Sequence, residues 1–261
     1  RGLVISQTES ADDIRLAIDL VKKTMGSQHI PVIPLFESRS SLENATKILD
    51  ELFQDSYYLE LCRTQWASRF EVMLGYSDSA KETGSFYSRF LIRDALFNLE
   101  DFLEKKKLIP IFFHGSGGSV ARGGGSLEEQ VAWWPLSSRK VFKVTLQGEM
   151  VYRSFSVPEI FNSQVSKILK NSKTATKHSY TKDTHQSVHQ FAVKVSDEYK
   201  KLTTNEEFIT VIKDSTPYNY LNELRIGSRP TKRNKKFGLN SLRAIPWVLC
   251  WTQIRDRKSV V

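Results

Sequence analysis

The sequence predicts an α/β fold, a partial (β/α)8-type barrel with additional helices. Three observations carry this. Apolar runs alternate with amphipathic stretches through residues 3–149. The apolar runs are hydrophobic on both faces, as strands covered on two sides must be. Polar residues recur where those runs end.

Taken in order, Leu3 to Ser6 reads as a short buried strand, and Ala11 to Met25 follows with Ile14, Leu16, Ala17, Ile18 and Val21 at helical spacing. A second strand spans IPVIPLFE (30–37), with helical material from Ser41 to about Thr64. The third, FEVMLGYSD (70–78), leads into one long helix over 84–106, with Ile92, Ala95, Leu96, Leu99 and Leu103 on its apolar side. LIPIFFHG (108–115) is the fourth strand and VFKVTLQGE (141–149) the fifth. Strands separated by helices in this way are expected to run parallel. Residues 158–222 read mainly as amphipathic helix, and the Lys/Thr/Ser-rich stretch 170–184 as a mobile connection.

The totals exclude several classes. Hydrophobic residues make up 40% of the 261, enough for a substantial core and against wholesale disorder. No apolar run reaches the length of about 18 residues a membrane helix needs. Cys62 and Cys250 lie far apart in apolar surroundings, which suits a reducing compartment, hence a cytoplasmic expectation, and not a disulfide framework or a zinc site. A net charge of +9 fits nucleic acid or a small anionic substrate. Aromatics are not interleaved with the basic run 225–236, so stacking on bases is unsupported.

The strand ends carry Glu37, Asp78, His114, then Gln147 and Glu149. In β/α barrels reactive groups stand at the C-terminal ends of strands. Two carboxylates there can hold Mg²⁺ or Mn²⁺, which take oxygen ligands and leave positions open for substrate; helix capping is the other reading of the same pair. The stretch FFHGSGGSVARGGGS (112–126) is neither a dinucleotide fingerprint, since Val120 stands where the last glycine belongs, nor a P-loop, since Gly124 replaces its lysine. An amide-rich loop able to close over an anion remains. His114 at its start could act as a base near neutral pH, or simply bond to backbone. Arg229 in a Ser-Arg-Pro turn and Arg243 before AIPWVLCW suit bidentate binding of phosphate or carboxylate. His185 and His189 have metal spacing without a third ligand nearby, and read as a solvated helix face.

ISQTES (5–10), PLFE (34–37), GYSDSAKETG (75–84), FHGSGGSVARGGG (113–125), TLQGEM (145–150), LNELRIGSRPTKR (221–233) and SLRAIPWVLCWTQ (241–253) together resemble phosphoenolpyruvate carboxylase, in the family's order. The match covers nearly the whole chain and falls within the later half of the family's length. The resemblance implies carboxylation of phosphoenolpyruvate by bicarbonate, giving oxaloacetate and phosphate through carboxyphosphate and a pyruvate enolate, with Mg²⁺ or Mn²⁺ and in a homotetramer. It makes Glu37 and Asp78 the metal ligands and His114 the base acting on carboxyphosphate. Lys81, Arg122, Arg229 and Arg243 become the groups around the anionic substrates.

Two departures stand out. The family's His-Gly-Arg-Gly-Gly has Ser116 in place of arginine, and Ala121 replaces a glycine before Arg122. Loss of a catalytic electrostatic contact costs about 2.7–4 kcal/mol of barrier. A degenerate relative that binds a phosphorylated ligand without carboxylation is therefore a second reading. Residues 1–255 are expected to be part of the catalytic barrel, inactive alone and with apolar edges exposed. Residues 256–261, DRKSVV, depart from the family's continuation and are expected to be a non-native tail, the translation of a sequencing adapter.

Overall fold

The computed structural model describes residues 2–116, 127–146, 148–174 and 182–220, together with Trp247 and Cys250. The described elements are β1 (Leu3–Ile5), α1 (Ala11–Met25), β2 (Val32–Phe36), α2 (Arg39–Leu52), α3 (Ser56–Gln65), β3 (Arg69–Gly75), α4 (Tyr76–Thr83), α5 (Ser85–Lys105) and β4 (Ile109–Gly115). They continue with α6 (Leu127–Trp133), α7 (Leu136–Lys140), β5 (Lys143–Val144), α8 (Gly148–Phe155), α9 (Pro158–Thr174), α10 (Lys182–Thr204) and α11 (Glu206–Ser215).

The five strands pair in sequence order, β1-β2-β3-β4-β5, and every pairing is parallel. The fold is thus a helix-rich α/β arrangement, consistent with successive units of a β/α barrel. Register sets which side chains share a face: Phe36 lies beside Leu74, and Leu74 beside His114. Phe36, Phe70, Val72, Leu74 and Phe112 are buried in one cluster with Ile14 and Ile18 of α1, Leu49 of α2 and Ile92, Leu96 and Leu99 of α5. Burial of each such side chain stabilises by about 1.5–3 kcal/mol. Because side chains alternate along a strand, Glu71, Met73, Gly75, Phe113 and Gly115 project to the other face. There the Lys143 ammonium pairs with the Glu71 carboxylate and lies over the Phe113 ring.

Local chemistry explains the boundaries. Ser10 and Asp13 form a reciprocal capping box at the start of α1, and Gly26 ends that helix at φ 67°. The backbone N–H of Glu9, against opposing burial, with further help from Ser10, holds the Asp13 carboxyl below its usual range. The helical material expected over 41–64 is two helices, because Asp55 caps a new start by accepting from the Tyr57 amide. The third strand stops at Gly75, and Tyr76 to Asp78 belong to the first turn of α4. The helix expected over 84–106 is α5, and Gly84, at φ 82°, separates it from α4, a short helix that the sequence reading did not expect. The fifth strand contracts to Lys143 and Val144, since Val141 caps α7 and α8 begins at Gly148. Residues 170–174 and 182–184 are helical, while 175–181 lie outside the described residues.

Candidate functional site

Glu37 follows the last residue of β2 and faces away from the core that holds Phe36. Its Oε1 accepts from the Gln7 amide at 3.0 Å, tying the end of β1 to the end of β2. Gln7 is held at φ 57°, a left-handed conformation that costs an ordinary side chain about 1–3 kcal/mol. Across the sheet the Glu37 side chain lies flat against Gly75. A Cβ at position 75 would come within 3.0 Å of Glu37 Cα and closer still to its Cβ. The glycine is therefore required by the close approach of the chain at Glu37, whose Cα and Cβ occupy the space a side chain would need.

Asp78 is the third residue of α4, half-buried, and Lys81 lies one turn later on the same face. Lys81 is buried, with 8% exposure, so its ammonium is held within the protein and not on a solvated face. Its carbonyl accepts from the Tyr199 hydroxyl of α10 at 2.8 Å, and Trp247 Nε1 donates to that hydroxyl at 3.1 Å. Burial pushes the Tyr199 phenol up to about 12. Inside α4 the Ser79 hydroxyl bonds the Gly75 carbonyl at 2.7 Å and pairs with Ser88 of α5, so the turn bearing Asp78 is fixed from both sides. The strand-end reading of Asp78 is thus corrected to a helix-start reading. The acid stays toward the C-terminal edge of the sheet, three residues beyond Gly75, which packs against Glu37.

His114 is placed differently. It shares the face of Leu74 and Phe112, toward the helix layer, and is fully buried. Its ring stacks on Trp134 at 3.5 Å and 10°. Nδ1 lies 2.9 Å from the Tyr76 hydroxyl and Nε2 3.1 Å from the Ser138 hydroxyl. Trp134 Nε1 also donates to the Tyr76 hydroxyl, at 3.2 Å. Desolvation pushes the imidazole down to about 3, so the ring is neutral at physiological pH. A base titrating near 7 was expected at this position; burial shifts it far below that.

The structure therefore brings Glu37, Asp78 and Lys81 to one edge of the sheet and turns His114 to the opposite face. Arg122, Arg229, Arg243, Gln147 and most of the glycine-rich stretch lie outside the described residues, as does the 256–261 tail. Ser116, where the family pattern has arginine, is fully buried and its hydroxyl has no hydrogen-bond partner. His185 and His189 are not a solvated face. His185 Nε2 meets Asp94 Oδ2 at 2.7 Å, and His189 Nε2 meets the Tyr87 hydroxyl at 3.2 Å, docking α10 on α5. Tyr76, Trp134 and Ser138 were missed in the sequence. Only the tyrosine carried a signal, as part of GYSDS.

Among the described residues no group of three or more His, Cys, Asp or Glu converges as a metal cage. A hard divalent cation needs none: Mg²⁺ usually takes one or two carboxylates and completes its shell with water and substrate oxygens. Glu37 and Asp78 fit that donor set, and a lysine beside them suits an anionic substrate.

A parallel five-stranded sheet flanked by helices, with Glu37, Asp78 and Lys81 toward the C-terminal ends of its strands, places the chain in the helix-rich α/β class. The family model for phosphoenolpyruvate carboxylase matches residues 1–257, and the chain belongs to that family. It is 34% identical to a phosphoenolpyruvate carboxylase of Prochlorococcus marinus (strain MIT 9515) over 97% of this chain and 27% of that protein. It is 33% identical to that of Tolumonas auensis, over 97% of this chain and 29% of the relative. The chain thus spans under a third of the length of these curated relatives.

Proposed function

We propose that the chain is a portion of a phosphoenolpyruvate carboxylase, a carboxy-lyase joining phosphoenolpyruvate and bicarbonate to give oxaloacetate and phosphate. The observation that carries this is the Glu37 carboxylate laid on Gly75 beside the α4 turn of Asp78, in a chain of that family. Glu37 and Asp78 would hold Mg²⁺ or Mn²⁺, which when bound neutralises charge developing on phosphoryl and enolate oxygens. Lys81, one turn from Asp78, draws the substrate's negative charge to the same edge. Arg122, Arg229 and Arg243 are assigned to the transferred phosphate and the carboxylates, as the family resemblance implies. The base's role given to His114 by that resemblance requires a neutral ring, which its burial supplies, and also an open ring nitrogen, which needs the Tyr76 or the Ser138 contact to break.

The sheet is read as part of a β/α barrel, the parent protein as a homotetramer in the cytoplasm. No described helix is long and apolar enough to cross a membrane. The chain alone is not expected to complete the reaction; oxaloacetate formation above background by the purified chain contradicts that. Buried Ser116 favours a second reading, a relative that binds the phosphorylated ligand without carboxylating it. Binding of phosphoenolpyruvate, followed by ³¹P line broadening, tests what both share. It is expected to depend on added Mg²⁺, and equal binding in its absence sinks the reading.

A further inference from the structure

The base's role assigned to His114 by the family resemblance leaves unexplained the closed cluster it forms with Tyr76, Trp134 and Ser138. All four are fully buried or nearly so, at 0–1% exposure. They come from three parts of the chain: β4, the first turn of α4, and the segment around α7. We propose that His114 is a positioning residue, whose neutral Nε2–H ring holds the first turn of α4, and with it Asp78, through the Tyr76 hydroxyl.

Proton arithmetic carries the argument. Trp134 Nε1 can only donate, and it donates to the Tyr76 oxygen. If Nδ1 also carried a proton, that oxygen would receive two N–H donors, and the phenolic proton would be buried with no acceptor in the cluster. If Nε2 carries the proton, Tyr76 donates to Nδ1 and Nε2–H donates to Ser138 Oγ. The proton then left without an acceptor in the cluster belongs to the serine hydroxyl, a weaker donor than a phenol. The second arrangement leaves the cheaper group unpaired. Trp134 covers one face of the ring at 3.5 Å.

Tyr76 stands two residues before Asp78 in the same helical turn. A ring that pins Tyr76 therefore sets the direction in which that turn presents its carboxylate, the arrangement by which outer groups orient metal ligands. The link to Asp78 rests on the carboxylase reading; the hydrogen-bond pattern does not.

Long-range ¹⁵N–¹H correlation on the histidine-labelled full chain, without metal, reads the pattern directly. One ring, identified by its loss in His114→Gln, is expected as a single Nε2–H tautomer that stays neutral at a pH of about 5, where an ordinary histidine is charged. An Nδ1–H form, exchange-averaged nitrogens or a charged ring at that pH overturns the proposal. Tyr76→Phe keeps the ring and removes the hydroxyl, so it is expected to shift the His114 Nδ1 resonance and to weaken Mn²⁺ binding about 10–100-fold. An unchanged His114 spectrum in that variant overturns the hydrogen bond, and an unchanged Mn²⁺ affinity overturns the link to Asp78. If the wild-type chain binds no Mn²⁺ at all, the carboxylase reading fails, while the tautomer measurement still decides the cluster.

Discussion

Gly75 and His114 show what single residues contribute. Glycine at 75 is set by a neighbour and not by a turn: a methyl group there would have to displace Glu37. Gly75→Ala is expected to destabilise the chain by about 1–3 kcal/mol, seen in the denaturant midpoint, and to weaken Mn²⁺ binding along with it. For His114, the folded ring titrates near 3 against 6.5 for the free side chain. The unfolded chain therefore binds the proton first as pH falls. The stability that follows from a neutral ring is complete above about 6.5 and is lost, by up to about 1.4 kcal/mol per pH unit, as the pH drops toward 3. Chemical denaturation at a pH of about 7 and about 5 is expected to show this loss, and His114→Gln to reduce the slope. Glu37, Asp78, Lys81 and His114 were singled out as candidates because each sits in a motif or at the end of an apolar run. Their division between two faces was not legible, because a strand's facing depends on register with its neighbours.

At the scale of elements, periodicity located α1 from Ala11 to Met25 correctly, since both ends carry strong local signals, the Ser10 cap and Gly26. It placed α5 close to its observed bounds but missed α4, because Tyr76 to Asp78 continue the apolar strand pattern. The break between α4 and α5 is a backbone property of Gly84, which adopts φ 82°, ψ 155°, and whose added Cβ would lie 3.3 Å from Tyr199 Cγ. Few side chains tolerate that conformation. Gly84→Ala is expected to cost about 1–3 kcal/mol and to loosen α10 from α4, measured as faster hydrogen exchange in residues 195–204. The fifth strand was over-extended from the VFKVTLQGE pattern because Phe142 packs on Trp134 and does not continue the ladder. No sequence rule announces that competition.

At the scale of the whole molecule, the described surface carries several exposed apolar side chains. β1 is an edge strand whose Leu3 and Val4 are exposed, and α1 presents Leu16 and Leu20 to solvent. Tyr152, Leu169 and Phe191 add further exposed apolar area. Surfaces of this kind mark contacts with other protein. The isolated chain is expected to self-associate in a concentration-dependent way by sedimentation velocity, and Leu16→Lys with Leu20→Lys to shift it toward monomer. The α/β class with parallel strands was legible from alternation alone, because crossover connections leave few other ways to bury such strands.

The central claim is that Glu37 and Asp78 form a divalent-cation site at the sheet's C-terminal edge. Mn²⁺ titration of the purified chain by electron paramagnetic resonance tests it most directly. The account predicts saturable binding that Glu37→Gln and Asp78→Asn each weaken at least about tenfold, while His185→Gln leaves it unchanged. Binding of equal strength in all four proteins would contradict it.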